Sequence, residues 1–308
     1  MKRILLLTLC LCLIVSIFSA CGNSGNSSGN GNGNGDTIVV TGADFTESRL
    51  VAEIYAQLIE NKTNLRVERI YDLAEAIAFQ SLVIGEADVF PGYTGTALMV
   101  FLGQEVLPGT PAAEAKERTR VGIYEEFDLI LMEPMGFQNT YAIAIDRQFA
   151  EENNIRTKSD LIPFTPYMSF AGEHAFFYAD RLDGFYSMSD AYGFNFRNYL
   201  MVDVALKYIS FGQGMVESFI AYTTDGELTW YDLALLEDDR YFFPIYYLHP
   251  IVRRETLEQF PEIGQALSVL AGVATEADMS RYNYLVVSGQ MSLAQAAEEF
   301  IREFGLLD

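Results

Sequence analysis

From Asp36 onward, short β-branched runs alternate with longer stretches in which apolar positions recur every three or four residues. Thr37-Ile-Val-Val-Thr41 reads as a strand, and Leu50, Val51, Ile54, Tyr55, Leu58 and Ile59 then fall on one helical face. Asp44 and Glu47 stand three apart ahead of that face, a spacing that predicts a capping box and a helix starting near Phe45. The same unit repeats at once, with a strand over 65–70, a helix over 73–84 closed by Gly85, and a short strand over 87–90 ending at Pro91. Further strands are predicted at 140–145, 168–171, 216–221 and 233–236, and the C-terminal segment has helical spacing. Strand and helix alternating through short turns predict an α/β fold on mostly parallel sheet.

The chain has 308 residues, 50% of them hydrophobic, which suits two lobes at about 100–200 residues per domain. No Pro/Gly-rich linker interrupts 36–308, so the chain is expected to cross between lobes more than once through short strands and to leave a cleft at the hinge. Crossings near Gln138 and Phe243 divide it into a first lobe, 36–138 with 244–308, and a second, 139–243.

The N-terminus has Lys2 and Arg3, then an uncharged apolar run from Ile4 to Ala20, then Cys21. A run of this length is short for a membrane span, and a basic start with small residues at its end marks a secretory signal. Because Cys21 follows Ala20 directly, the segment resembles a bacterial lipoprotein signal, although Phe18 stands where that family usually has Leu. The resemblance implies removal of 1–20, a lipid on Cys21 and an extracytoplasmic protein anchored to the membrane; an ordinary secretion signal with an unmodified Cys21 is the alternative. Gly22 to Gly35 contains only Gly, Asn and Ser and reads as a flexible tether with a reach of roughly 20 Å. The remaining cysteines, Cys10 and Cys12, lie within the signal, so the folded body has no thiol for a disulfide, a metal or nucleophilic catalysis.

A net charge of −22 is the wrong sign for a nucleic-acid surface and excludes that class of partner. The histidines, His174 and His249, have no metal-ligand spacing, and no nucleophile elbow, phosphate loop or dinucleotide motif is present, so no cofactor, metal site or enzymatic reaction is expected. The acidic run Glu237-Asp-Asp239 reads as a solvated loop.

What the chain does contain is aromatic side chains, 18 Tyr and 22 Phe against one Trp. Tyr93, Tyr141, Tyr222 and Tyr246 each sit at a predicted strand end or beside Gly or Pro, where open α/β sheets face their ligand crevice.

Asp44-Phe-Thr-Glu47, Tyr93-Thr-Gly-Thr96, Gly136-Phe-Gln-Asn-Thr-Tyr141, Arg181-Leu-Asp-Gly184, Tyr222-Thr-Thr-Asp-Gly226 and Leu236-Glu-Asp-Asp-Arg-Tyr-Phe-Phe-Pro244 occur in family order. Through them the chain resembles, over 36–308, the substrate-binding lipoproteins of bacterial ABC importers for glycine betaine, choline and carnitine. The resemblance implies a two-lobed periplasmic-binding-protein fold of type II that closes on a quaternary-ammonium ligand and hands it to a membrane permease driven by an ATPase. It implies a cage of Tyr93, Tyr141, Tyr222 and Tyr246, with Tyr247 competing for the last place, and adds Asn139 as a further ligand-binding position. A quaternary ammonium has no N–H to donate, whereas an aromatic face attracts its charge by about 0.5–2 kcal/mol. Thr96 and Arg181 match positions that hold a ligand carboxylate in the family, while Arg181 can instead pair with Asp183. Ala43 stands where glycine betaine relatives usually have Lys, which shifts the expectation from glycine betaine toward choline. Asp44 can face the cation or cap the helix. The other readings are a receptor of the same fold for a different amine or amino-acid betaine, and a secreted hydrolase with His174 or His249 as base.

Overall fold

The computed structural model describes residues 36–307. Two five-stranded sheets, each with its own helices, form two lobes. The first lobe begins with β1 (Thr37–Ala43), α1 (Thr46–Lys62), β2 (Arg66–Leu73), α2 (Glu75–Val83), β3 (Val89–Tyr93), α3 (Ala112–Phe127) and β4 (Leu129–Leu131). The second comprises β5 (Tyr141–Asp146), β6 (Ser169–Glu173), α4 (Phe185–Tyr192), β7 (Asn198–Val202), α5 (Leu206–Gly212), β8 (Ser218–Tyr222) and β9 (Leu233–Leu236). The chain then returns to the first sheet as β10 (Leu248–Arg253) and finishes with α6 (Pro261–Ser268), α7 (Glu276–Val287) and α8 (Leu293–Glu303).

The sheet orders are β2-β1-β3-β10-β4 and β7-β6-β8-β5-β9, so the two lobes repeat one topology. Neither sheet is as parallel as the strand-helix alternation predicts: β10 runs antiparallel to β3 and β4, and β5 antiparallel to β8 and β9. The cause lies in the crossings. Leu248 starts β10 opposite Tyr93, the last residue of β3, and Tyr141 starts β5 opposite Tyr222, the last residue of β8. A strand that enters its lobe from the cleft begins where its neighbours end and must run against them. The crossing segments lie side by side, with Gln138 bridged to Tyr247 and the Asn139 amide donating to the Tyr246 carbonyl at 3.0 Å.

α1 has apolar side chains on most of its circumference and is buried between the first sheet and the C-terminal helices α6, α7 and α8. Its start departs from the predicted capping box. Phe45 is the N-cap and supplies no side-chain bond; the Ser48 hydroxyl accepts from the Ala43 amide at 2.8 Å, and Glu47 turns inward. β10 escapes the strand pattern because it contains Pro250, a residue that argues against a central strand and that here stands opposite Pro91. Asp238 is not the solvated acid its neighbours suggest. It accepts from the Tyr192 hydroxyl and from the Phe242 and Phe243 amides, and it lies 3.5 Å from the buried Lys158 ammonium.

Candidate functional site

Strand ends of both sheets and the two crossings converge on a small cavity lined by Phe45, Glu75, Tyr93, Thr96, Asn139, Tyr141, Tyr222 and Tyr246. β3 delivers Tyr93 and, one helical turn on, Thr96; the outgoing crossing delivers Asn139 and Tyr141; β8 delivers Tyr222; the returning crossing delivers Tyr246. Ring centroids stand 5.2 Å apart for Tyr141 and Tyr222 and 5.6 Å for Tyr141 and Tyr246, the latter nearly perpendicular. Phe45, which the sequence reading did not single out, bridges the lobes as a fifth ring, 6.3 Å from Tyr93 and 5.5 Å from Tyr222. Of the two adjacent tyrosines on the returning segment, Tyr246 lines the cavity.

The hydroxyl of each of these four tyrosines is bound to a charged side chain. Tyr93 donates to Glu47 at 2.6 Å, Tyr222 to Glu173 at 2.9 Å and Tyr246 to Asp183 at 2.5 Å, while Tyr141 accepts from Arg181 at 2.8 Å. These bonds hold the rings in place, and burial pushes all four phenols well above their ordinary range, so they stay neutral. A phenol that donates to a carboxylate is polarised toward phenolate, which enriches its ring face and strengthens its attraction for a cation.

Arg181 is not among the cavity-lining residues. Its guanidinium donates to Asp183 at 2.6 Å as well as to Tyr141, so the Asp183 pair that the sequence left as one alternative is formed. Lys207, fully buried, lies 3.4 Å from Glu173 and 4.1 Å from the centroid of the Tyr222 ring. The two charged pairs therefore stand behind the cage and orient it. Asp44 lies outside the cavity, in a neighbouring hollow with Arg49 and Glu227. Ala43 is buried at the end of β1.

Glu47 joins the lobes. Only 2% exposed, its carboxylate accepts from Tyr93 and Asn139 on Oε1, at 2.6 and 2.9 Å, and from Thr224 and Asn283 on Oε2, at 2.6 and 2.9 Å. Burial raises its pKa and the four donors oppose that rise. Thr224 is the member from the second lobe, and its carbonyl also accepts from Asn283 at 2.8 Å.

Glu75, the first residue of α2, was the least legible member in sequence. An acid in the first turn of a helix ordinarily answers the helix dipole and nothing else marks it. The residue is half-buried and lines the cavity, and burial pushes its carboxyl up to about 7. Of the histidines, His174 is exposed, and His249 is buried with Nδ1 2.7 Å from the Met132 carbonyl oxygen; burial pushes it down to about 4 and keeps it neutral. Among the described residues no cluster of potential ligands could hold a metal ion. Cys21 lies outside the described residues.

Comparison with known proteins identifies the family. The chain is 28% identical over 270 residues to the carnitine transport binding protein OpuCC of Listeria monocytogenes serotype 1/2a (strain 10403S), covering 87% of each chain. It is 30% identical over 282 residues to the glycine-betaine-binding protein of Pseudomonas aeruginosa PAO1, covering 89% of each. A crystal structure described as a glycine betaine/carnitine/choline ABC transporter superimposes with a TM-score of 0.72 at 26% identity, over 89% of this chain and all of the other, which establishes the type II periplasmic-binding-protein fold. The family described as the substrate-binding domain of ABC-type glycine betaine transport systems matches residues 36–303. The chain belongs to that family, the substrate-binding components of ABC-type glycine betaine transport systems.

Proposed function

We propose that the protein captures a quaternary-ammonium compound by its methylated nitrogen, between the ring faces of Tyr93, Tyr141, Tyr222 and Tyr246, with Thr96 and Asn139 meeting the ligand's other end. The convergence of four phenol rings on one cavity, those of Tyr93, Tyr141 and Tyr246 buried and that of Tyr222 half-buried, with every hydroxyl tied to a charged group, is the observation on which the reading rests. Such a cavity offers a methylated cation several electron-rich faces and excludes water, the condition under which each contact is strongest. Arg181 acts in this reading as a positioning residue for Tyr141.

The ligand bridges the lobe of 36–138 with 244–308 and the lobe of 139–243, so occupancy stabilises the closed form. Closed and loaded, the protein docks on its permease, held near the membrane by a lipid on Cys21 and the tether over 22–35 after removal of 1–20.

Calorimetric titration of the purified chain with choline, glycine betaine, carnitine and proline betaine tests the ligand class. At least one is expected to bind at micromolar concentration or below; binding of none refutes it.

A further inference from the structure

The cavity wall is one-sided in charge. Its lining contains one carboxyl, Glu75, and neither lysine nor arginine. No described residue donates a hydrogen bond to the Glu75 carboxyl or pairs with it. A second acceptor belongs to another lining residue: Asn139 Oδ1 is buried without a partner, and because Asn139 Nδ2 donates to Glu47 the amide cannot turn over. Arg181, the cation that acts on Glu75, is occupied by Asp183 and Tyr141. Asp183, Asp44 and Glu173 act on Glu75 with the opposite sign, and the surrounding phenols are neutral. The wall therefore presents acceptors and negative charge, with no cation free to meet an anion.

We infer that Glu75 sets the charge class of the ligand: the cavity takes a quaternary ammonium bearing a neutral hydrogen-bond donor, as in an amino alcohol such as choline, and disfavours one with a carboxylate close to its nitrogen. The inference rests on the reading of this cavity as the quaternary-ammonium site. A choline hydroxyl can donate to Asn139 Oδ1 or Glu75 while the ammonium lies in the field of the Glu75 carboxylate. The carboxylate of glycine betaine would face two acceptors and a like charge. While Glu75 is ionised, a ligand carboxylate about 5 Å from it at an effective dielectric of about 20 is disfavoured by about two- to three-hundredfold, a cost that protonation of Glu75 relieves.

The protonation of Glu75 supplies a readout that packing alone does not. With its carboxyl near 7, it is about half protonated at pH 7 in the empty cavity, and a bound cation favours the ionised form. Choline binding should then release up to about half a proton at pH 7, and choline affinity should fall as pH drops below 7.

The experiment is calorimetric titration of the purified chain and of Glu75→Gln with choline and with glycine betaine, at pH 7 in two buffers of different ionisation enthalpy. The parent chain should bind choline more tightly than glycine betaine and release protons with choline. Glu75→Gln should abolish the release and, in a repeat at pH 8.5 where Glu75 is ionised, narrow the choline preference by about tenfold or more. Glu75→Thr, a second variant that offers a hydroxyl, should narrow it in the same direction and covers the case in which the first does not fold. Tighter binding of glycine betaine by the parent chain, with a preference that neither variant changes, would overturn the charge rule while leaving the cage intact. Binding of neither compound, nor of carnitine, would overturn the cage reading itself.

Discussion

Thr224→Val removes one hydroxyl and keeps the side chain's shape, and its expected effect can be worked from the bonds that Thr224 makes. In the structure its hydroxyl donates to Glu47 Oε2 at 2.6 Å, with Asn283 as the other donor to that oxygen. When the cleft opens, water replaces the hydroxyl, so the substitution acts on the closed form and hardly on the open one. A hydrogen bond to a charged group contributes about 1.5–3 kcal/mol net. Where the free protein is mainly open, the whole amount weighs against closure and appears as weaker ligand binding, by about tenfold to 150-fold. Titration calorimetry with the best ligand measures this, and small-angle scattering of the free and loaded variant reports whether closure is incomplete. Thermal stability without ligand should fall much less, since both lobe cores are untouched. An affinity within about twofold of the parent, together with a lowered melting temperature, would show that the bond supports one lobe internally and does not hold the two together.

Three further outcomes are expected. Tyr141→Ala and Tyr222→Ala should each weaken binding by about tenfold or more, since each loses a ring face and leaves Arg181 or Glu173 with one partner fewer; unchanged calorimetric affinity in both would show the ligand lies elsewhere. At Gly226 an added Cβ would stand 2.5 Å from the Tyr284 amide nitrogen and 2.6 Å from the Asn283 carbonyl carbon, so Gly226→Ala should wedge the loop after β8 away from α7. The expected readings are weaker ligand binding and a larger scattering radius for the loaded protein, and a loaded radius equal to the parent's would refute the wedge. Cys21→Ala should abolish incorporation of labelled fatty acid and release the chain from the membrane fraction; retention with undiminished label would place the lipid on another residue.

The fold was legible where local periodicity and burial agree. The β1–α1 unit shows in sequence because Leu50, Val51, Ile54, Tyr55, Leu58 and Ile59 share one helical face and all become buried. β4 and β7 were not legible, being short or half-exposed edge strands without alternation, and β10 was hidden by its proline. Strand direction in β5 and β10 follows from where the hinge enters each sheet, a global property that no window of residues contains. Within the candidate site, the tyrosines could be picked out because each stands at a strand end in a distinctive short motif. Glu75 could not, since an acid opening a helix is commonplace and its meaning comes from rings supplied by β3, β5, β8 and the returning crossing. Glu47 was misread for a related reason: a carboxylate three residues after Asp44 fits a local cap as well as it fits a distant partner.

The placement of Glu47 joins recognition to closure in one group. Its Oε1 holds the hydroxyl of Tyr93 and the amide of Asn139, both residues that line the cavity, while its Oε2 holds Thr224 from the opposite lobe. Tyr93 and, across the cleft, Thr224 are thus held by one carboxylate, so occupancy and closure depend on a shared anion. Binding and closure should therefore be lost together when Glu47 is neutralised. Glu47→Gln is the decisive case because it keeps the size and one acceptor but removes the charge: coupling through the anion requires both ligand affinity and the loaded scattering radius to change, and a change in one alone contradicts it.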